Sequence, residues 1–224
     1  MNSATRAAAR TAWVAVRAML LFTIVLGVGY TLVITGLGQA ALGAQANGSA
    51  VRDGTGAVVG SSLIGQSFVD ADGNPLPEYF QSRPSVAGDG YDSGASSGSN
   101  LGPENPDLVT AIEDRRAQVA EFNGVAPDAV PVDAVTASAS GLDPHISPAY
   151  ADLQVQRVAA TRALDAAQVR TLVAAHTVAP PLGFLGEPTV NVLELNLALE
   201  EVQATPSASL STSTPPSTQE SKEL

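Results

Sequence analysis

An α+β protein, in which a single N-terminal transmembrane helix precedes one small mixed α/β extracytoplasmic domain, is the architecture that this sequence predicts. Three observations carry that expectation. Ala18 to Leu37 reads AMLLFTIVLGVGYTLVITGL, twenty residues without a charge. After it come short apolar runs broken by glycine and proline, the pattern of short strands and tight connections. Three later segments each open on a capping residue, Asn105, Ser147 or Asp165, and continue with apolar residues at helical spacing.

The uncharged run is long enough, at about 1.5 Å per residue, to cross a hydrocarbon core about 30 Å thick. We place the basic N-terminus at 1–17, the membrane helix at 18–40, the outer domain at 45–202 and a Ser/Thr/Pro-rich tail at 203–224. A cleaved signal peptide would carry a shorter apolar region of about 7 to 15 residues, although Ala44-Gln45-Ala46 has the form of a cleavage site. Arg6, Arg10 and Arg17 precede the helix, and the next basic residue is Arg52. That asymmetry predicts a cytoplasmic N-terminus and an extracytoplasmic remainder in the cell membrane. Gly27, Gly29, Thr31, Thr35 and Gly36 are small enough to admit a neighbouring helix in lipid.

Beyond the anchor, Val58-Val59, Leu63-Ile64 and Phe68-Val69 suit short strands, with Asp72 to Pro75 as a turn. The Gly/Ser segment from Ala87 to Pro106 has no apolar period and reads as a loop. Asn105 caps a helix that Pro106 begins and Asn123-Gly124 ends. Ser147-Pro148 opens a second helix running to about Leu164, and Asp165 caps a third that ends at His176. From Thr189 to Leu199 the leucines alternate, which predicts a late strand with one buried side. The tail lacks the apolar content to pack and is expected to be disordered.

Composition removes several function classes. With 224 residues and no cysteine, the chain has no disulfide, thiolate metal site or cysteine nucleophile. Its one lysine is Lys222, so a Walker phosphate loop and a Ser-Lys hydrolase are excluded. Apart from the three N-terminal arginines, the net charge of −11 becomes −14, a balance that repels nucleic acid. The two histidines, His145 and His176, lack the paired spacing of a zinc site, and neither adjoins a G-x-S-x-G elbow. Asp143 and His145 supply an acid and a base, so a membrane-anchored extracytoplasmic hydrolase is the competing reading. An Asp-Pro turn followed by a Ser-Pro helix start accounts for the same residues through backbone geometry.

Five blocks in order carry a likeness: GSSLIGQSF (60–68), YFQSRPS (79–85), YDSGASSGSNLGPENP (91–106), VPVDAVTASASGLDPHISPAYADLQVQRVA (130–159) and GEPTVNVLELNLAL (186–199). Together with the single N-terminal helix, they resemble the C subunit of the Kdp-type potassium-transporting P-type ATPase. Departures are few: Ser97-Gly98 stands where many members have Gly-Gly, Glu104 where threonine is usual, and Ala139 where glycine is usual.

The resemblance implies a non-catalytic subunit that supports assembly and acts as a catalytic chaperone, raising the ATP affinity of the B subunit. Its partners would be a channel-like A subunit, that ATP-hydrolysing B subunit, a small F subunit and membrane lipid, with no nucleic acid. ATP, held with the B subunit, and potassium enter through the family alone; no autonomous cofactor, metal site or catalytic residue is expected. Candidate contact residues are Gln66, Ser97, Gly98, Ser99, Asn100, Asp143, His145, Gln154 and Arg157. Gly27, Gly29, Thr31 and Gly36 are the candidates for helix packing.

Overall fold

The computed structural model describes residues 3–204. Most of the tail at 203–224, and the first two residues, lie outside the described residues. The chain divides into two compact units, one up to Leu63 and one from Ile64 onward.

In the first unit, helix α1 (Ser3–Phe22) continues through a π-helical stretch (Thr23–Tyr30) into α2 (Thr31–Ala41) and a short α3 (Gly43–Ala46). Arg6–Ala41 is long and apolar enough to cross a membrane, and its 18-residue window of mean hydropathy 2.2 has no buried residue. Gly27 and Gly29 lie in the π segment, Thr31 opens α2, and Gly36 sits within it. A β-carbon at Gly36 would meet nothing within 4 Å. Strands β1 (Ala50–Arg52) and β2 (Val58–Ser61) then pair antiparallel, Ala50 opposite Ser61.

The second unit holds the larger core. Leu63 has already turned out of β2, and Val69 makes a single bridge to Pro75 across a turn whose Gly73 has φ 84°. Helix α4 (Pro106–Asn123) starts where the Asn105 side chain accepts the Asp107 N–H at 2.8 Å and stops at Gly124, φ 65°. Strand β3 (His145–Ile146) leads into α5 (Pro148–Arg162), capped by the Ser147 hydroxyl, which accepts the Tyr150 N–H at 3.0 Å. Asp165 caps α6 (Ala166–Ala175) in the same way through Ala167.

Strand β4 (Thr177–Val178), a loop, β5 (Thr189–Asn191) and α7 (Val192–Ala204) complete the described chain. The sheet runs β3-β5-β4, antiparallel throughout, with Ile146 opposite Val190 and Thr177 opposite Val190 on the other side. Helices α5 and α7 both contact β5, and α6 packs against each of them. Phe80, Ile146, Tyr150, Val155, Val158, Val169, Val190, Leu195 and Leu199 fill the space between. Burying each such Val, Leu, Ile or Phe side chain is worth about 1.5–3 kcal/mol.

Three expected strands are different, and the runs Leu63-Ile64 and Phe68-Val69 reach no more than isolated bridges. The run predicted as a strand from Thr189 to Leu199 is a strand only to Asn191, and the rest is helix. Val192, Leu195, Asn196 and Leu199 are buried, the i, i+3, i+4, i+7 stripe of a helix. The leucine alternation hid that stripe, because Leu195 and Leu199 satisfy both periods. Asn191 Oδ1 accepts the Glu194 N–H at 3.2 Å, so the strand ends on the residue that starts the helix.

Candidate functional site

Residues 77–81 belong to no strand, and helix side chains bond their backbone in place of a neighbouring chain. Gln154 of α5 accepts the Gln81 N–H at 2.7 Å and donates to the Gln81 carbonyl at 3.1 Å. Asn196 of α7 does the same at Phe80, accepting at 2.9 Å and donating at 3.0 Å. Each amide completes both backbone groups of one residue, as a strand partner would.

Arg157 works beside them. It donates to the carbonyls of Pro77 and Tyr79, to Asn123 Oδ1 at 2.9 Å and to Gln154 Oε1 at 2.8 Å. Its guanidinium lies 4.3 Å from the centre of the Phe122 ring. Burial pushes its pKa down to about 10, so it remains charged at neutral pH. Arg162, one turn on, donates to the Glu78 carbonyl and to Gln203 Oε1, both at 2.6 Å, and stacks over Tyr79.

A second cluster forms at the Asp143 corner. Asp143 Oδ2 accepts from Arg83 at 3.0 Å, while Oδ1 accepts the backbone N–H of His145 at 3.0 Å and bonds its Nδ1 at 3.2 Å. Arg83 also reaches the Thr136 carbonyl. Partial burial pushes the Asp143 carboxyl up, but the His145 bonds and the Arg83 charge together hold it below its ordinary value. A nucleophile is not arranged here: the nearby Ser147 hydroxyl donates to Asp133 and caps α5.

Because the folded pKa is lowered, the corner adds stability above the unfolded value near 3.9 and loses it as pH falls through the folded value. Asp143→Asn should cost on the order of 1–3 kcal/mol at neutral pH. Thermal melts of both proteins should show that gap closing as pH falls below about 4.

The Gly/Ser loop is seated on this corner. Ser97 N–H and Ser96 Oγ both donate to the Ser140 carbonyl at 3.0 Å, and Ser85 Oγ donates to the Gly141 carbonyl at 2.6 Å. Gly98 faces Ala139: a β-carbon there would lie 2.9 Å from the Ala139 carbonyl oxygen. Gly98 thus meets Ala139, one of the positions noted as departures, and is required to be glycine by the backbone opposite. Ser97, Ser99 and Asn100 are exposed, and the Ser97 hydroxyl and Asn100 amide both donate to the Gly98 carbonyl. Below the loop lies a mainly apolar cavity of about 290 Å³, lined by Ser99, Leu101, Leu108, Ile112 and Arg115 among others.

The nine candidates therefore fall into two groups. Ser97 to Asn100, Asp143 and His145 share the corner with Arg83, and Gln66 joins its edge, its carbonyl accepting from Ser82 at 2.8 Å. Gln154, fully buried, and Arg157 belong to the clamp on residues 77–81. Arg162 lies outside the five sequence blocks, and Arg83, Tyr91 and Asn196 lie within them but in no chemical pattern that singles them out. Tyr91 anchors the loop by donating to the Arg83 carbonyl at 2.8 Å, and burial pushes its pKa up to about 12. Among the described residues no cluster of three or more acids and histidines is placed to hold a metal ion.

Fold and polar clusters together define a class: an α+β domain carried on one apolar helix, with its arginines and amides spent on its own scaffold. The family model described as K+-transporting ATPase, c chain, matches residues 12–201. Potassium-transporting ATPase KdpC subunits are the curated relatives. That of Beijerinckia indica is 52% identical over 182 residues, covering 81% of this chain and 89% of the relative. The subunit of Kineococcus radiotolerans is 55% identical over 81% of this chain and 88% of its own length. For Mycobacterium tuberculosis the figures are 51%, 82% and 94%. The chain belongs to the K+-transporting ATPase c-chain (KdpC) family.

Proposed function

We propose that this chain is the single-pass accessory subunit of an ATP-driven, high-affinity potassium-uptake complex in the cell membrane. It stands beside a channel-like A subunit, an ATP-hydrolysing B subunit and a small F subunit, supports their assembly and raises the ATP affinity of the B subunit. It is not itself an enzyme. Family membership supports the setting, and the observation that carries the role is the anchor: Arg6–Ala41 has no buried side chain in its most apolar window and needs lipid or partner helices around it.

The residues present do not fit a triphosphate. The Ser97–Asn100 turn offers hydroxyls and an amide but no cation, and Arg115, in the wall of the cavity below, donates to the Val135 carbonyl. ATP belongs to the B subunit in this reading, and the effect on its affinity is a coupling between distant sites. Such coupling requires only that the anchor and outer domain bind one conformation of the complex better than another. Arginines before the helix and none until Arg52 support an outside position for the acidic domain, where we read it as capping the potassium entrance of the A subunit.

The chain has no cysteine, so one placed at exposed Ser96 is the only thiol it would carry. Ser96→Cys in intact cells should react with a membrane-impermeant maleimide added outside. Labelling that appears only after the cytoplasmic side is opened would overturn both the topology and the capping role.

A further inference from the structure

The loop between β4 and β5, Ala179 to Pro188, turns its large apolar side chains outward. Leu182 is 80% exposed and Phe184 73%, and Leu185 and Val178 stand beside them in the sequence, both exposed. This is not a slack segment. Gly183 N–H donates to the Pro180 carbonyl at 2.9 Å and Leu185 N–H to the Pro181 carbonyl at 3.1 Å. Pro180 and Pro181 fix the entry, and Leu182 is held at φ 56°, a left-handed conformation that leucine rarely adopts. A rigid turn that holds a leucine in an unfavourable conformation while exposing it and a phenylalanine has the form of a preorganised anchor.

Charge decides what the anchor meets. Residues 64–204 contain six arginines and no lysine against nineteen acids, a net of −13. Five of those arginines donate to acceptors within the domain: Arg83, Arg115, Arg157, Arg162 and Arg170. Such a body is repelled by anionic lipid and by a second copy of itself. Loops that enter a bilayer interface carry tryptophan, tyrosine or basic residues at their rim. Residues 177–188 have none, and their single charge is Glu187.

We infer that Leu182, Phe184 and Leu185 form the anchor by which the domain docks into an uncharged apolar pocket on another subunit of the ATPase assembly. This rests on the accessory-subunit reading above. A partner of this chemistry supplies a concave site lined by aliphatic or aromatic side chains, with the acidic faces of the domain left in water.

The test uses the full chain co-expressed with the other subunits. In the Leu182→Ser, Phe184→Ser double variant, retention in the detergent-purified complex against wild-type competitor should fall about tenfold or more. Its thermal melt should match wild type, since neither side chain is in the core. Independently, a photo-crosslinking p-benzoylphenylalanine at position 184 should give an adduct with a larger subunit. Equal retention together with an adduct to lipid, to a second copy of this chain or to nothing would overturn the anchor alone. If wild-type chain did not co-purify with an ATP-hydrolysing subunit at all, the anchor and the accessory-subunit reading would both fall.

Discussion

Arg157→Met should lower the stability of the α+β domain by about 3–5 kcal/mol, the largest loss expected from any single side chain described here. The methionine keeps only the aliphatic stem and removes the guanidinium, and with it every donor and the 4.3 Å contact over Phe122. The carbonyls of Pro77 and Tyr79, Asn123 Oδ1 and Gln154 Oε1 then lose the arginine together. Gln154 Oε1 keeps the Gln81 N–H and the Tyr79 carbonyl keeps Gln81 Nε2, but the Pro77 carbonyl and Asn123 Oδ1 are left unpaired, at about 1–3 kcal/mol each. For a domain of this size each kcal/mol shifts the midpoint by about 2–4 °C, so the melt should move down by roughly 10 °C or more. A shift of a degree or two would show that residues 77–81 hold their place without the clamp. Arg157→Lys should recover little, because an ammonium cannot span the carbonyls on one side and Asn123 and Gln154 on the other.

Gly141→Ala is the second large effect, and it comes from backbone rather than side chain. Gly141 has φ 67°, and a β-carbon there would lie 2.8 Å from the Ser97 carbonyl oxygen and 2.9 Å from the Ala87 nitrogen. Neither neighbour is a flexible side-chain end, so one of two backbone segments has to move. Strain at the left-handed position adds about 1 kcal/mol to an overpacking cost of about 1–3 kcal/mol. The expected loss is roughly 2–4 kcal/mol in a urea melt. It should be accompanied by faster amide exchange at Ser97, whose N–H donates to the Ser140 carbonyl. A melt within about 0.5 kcal/mol of wild type would refute the seating of the loop on the corner.

These two positions also show what a sequence reveals and what it withholds. Asn105-Pro106, Ser147-Pro148 and Asp165 announced three helices because a cap acts on residues two or three positions away, and local chemistry is written locally. The end of β5 was legible in principle: Asn191 with Glu194 three residues on is a capping pattern. Four alternating leucines spoke louder, and the period of two was taken for a strand. The corner residues Asp143 and His145 could be singled out by type, but Arg83, sixty residues earlier, could not be assigned to them. The same holds for Gln154 and Asn196, whose partners, Gln81 and Phe80, are backbone groups separated from them by 73 and 116 positions. A side chain that bonds a peptide group leaves no complementary letter to search for.

The inward turn of the arginines has a consequence for the water around the domain. Four guanidinium groups are spent on the scaffold and Arg170 pairs with Asp152 at the surface, and nineteen acids against six arginines leave residues 64–204 with a net of −13. Mobile cations must supply the balance, in a layer about 10 Å deep at an ionic strength of 0.1 M. An ion reaching this face therefore exchanges with a standing cation cloud instead of arriving through bulk solution, and the composition of that cloud follows the medium. A domain whose acids outnumber its arginines thus sets the ionic atmosphere outside it.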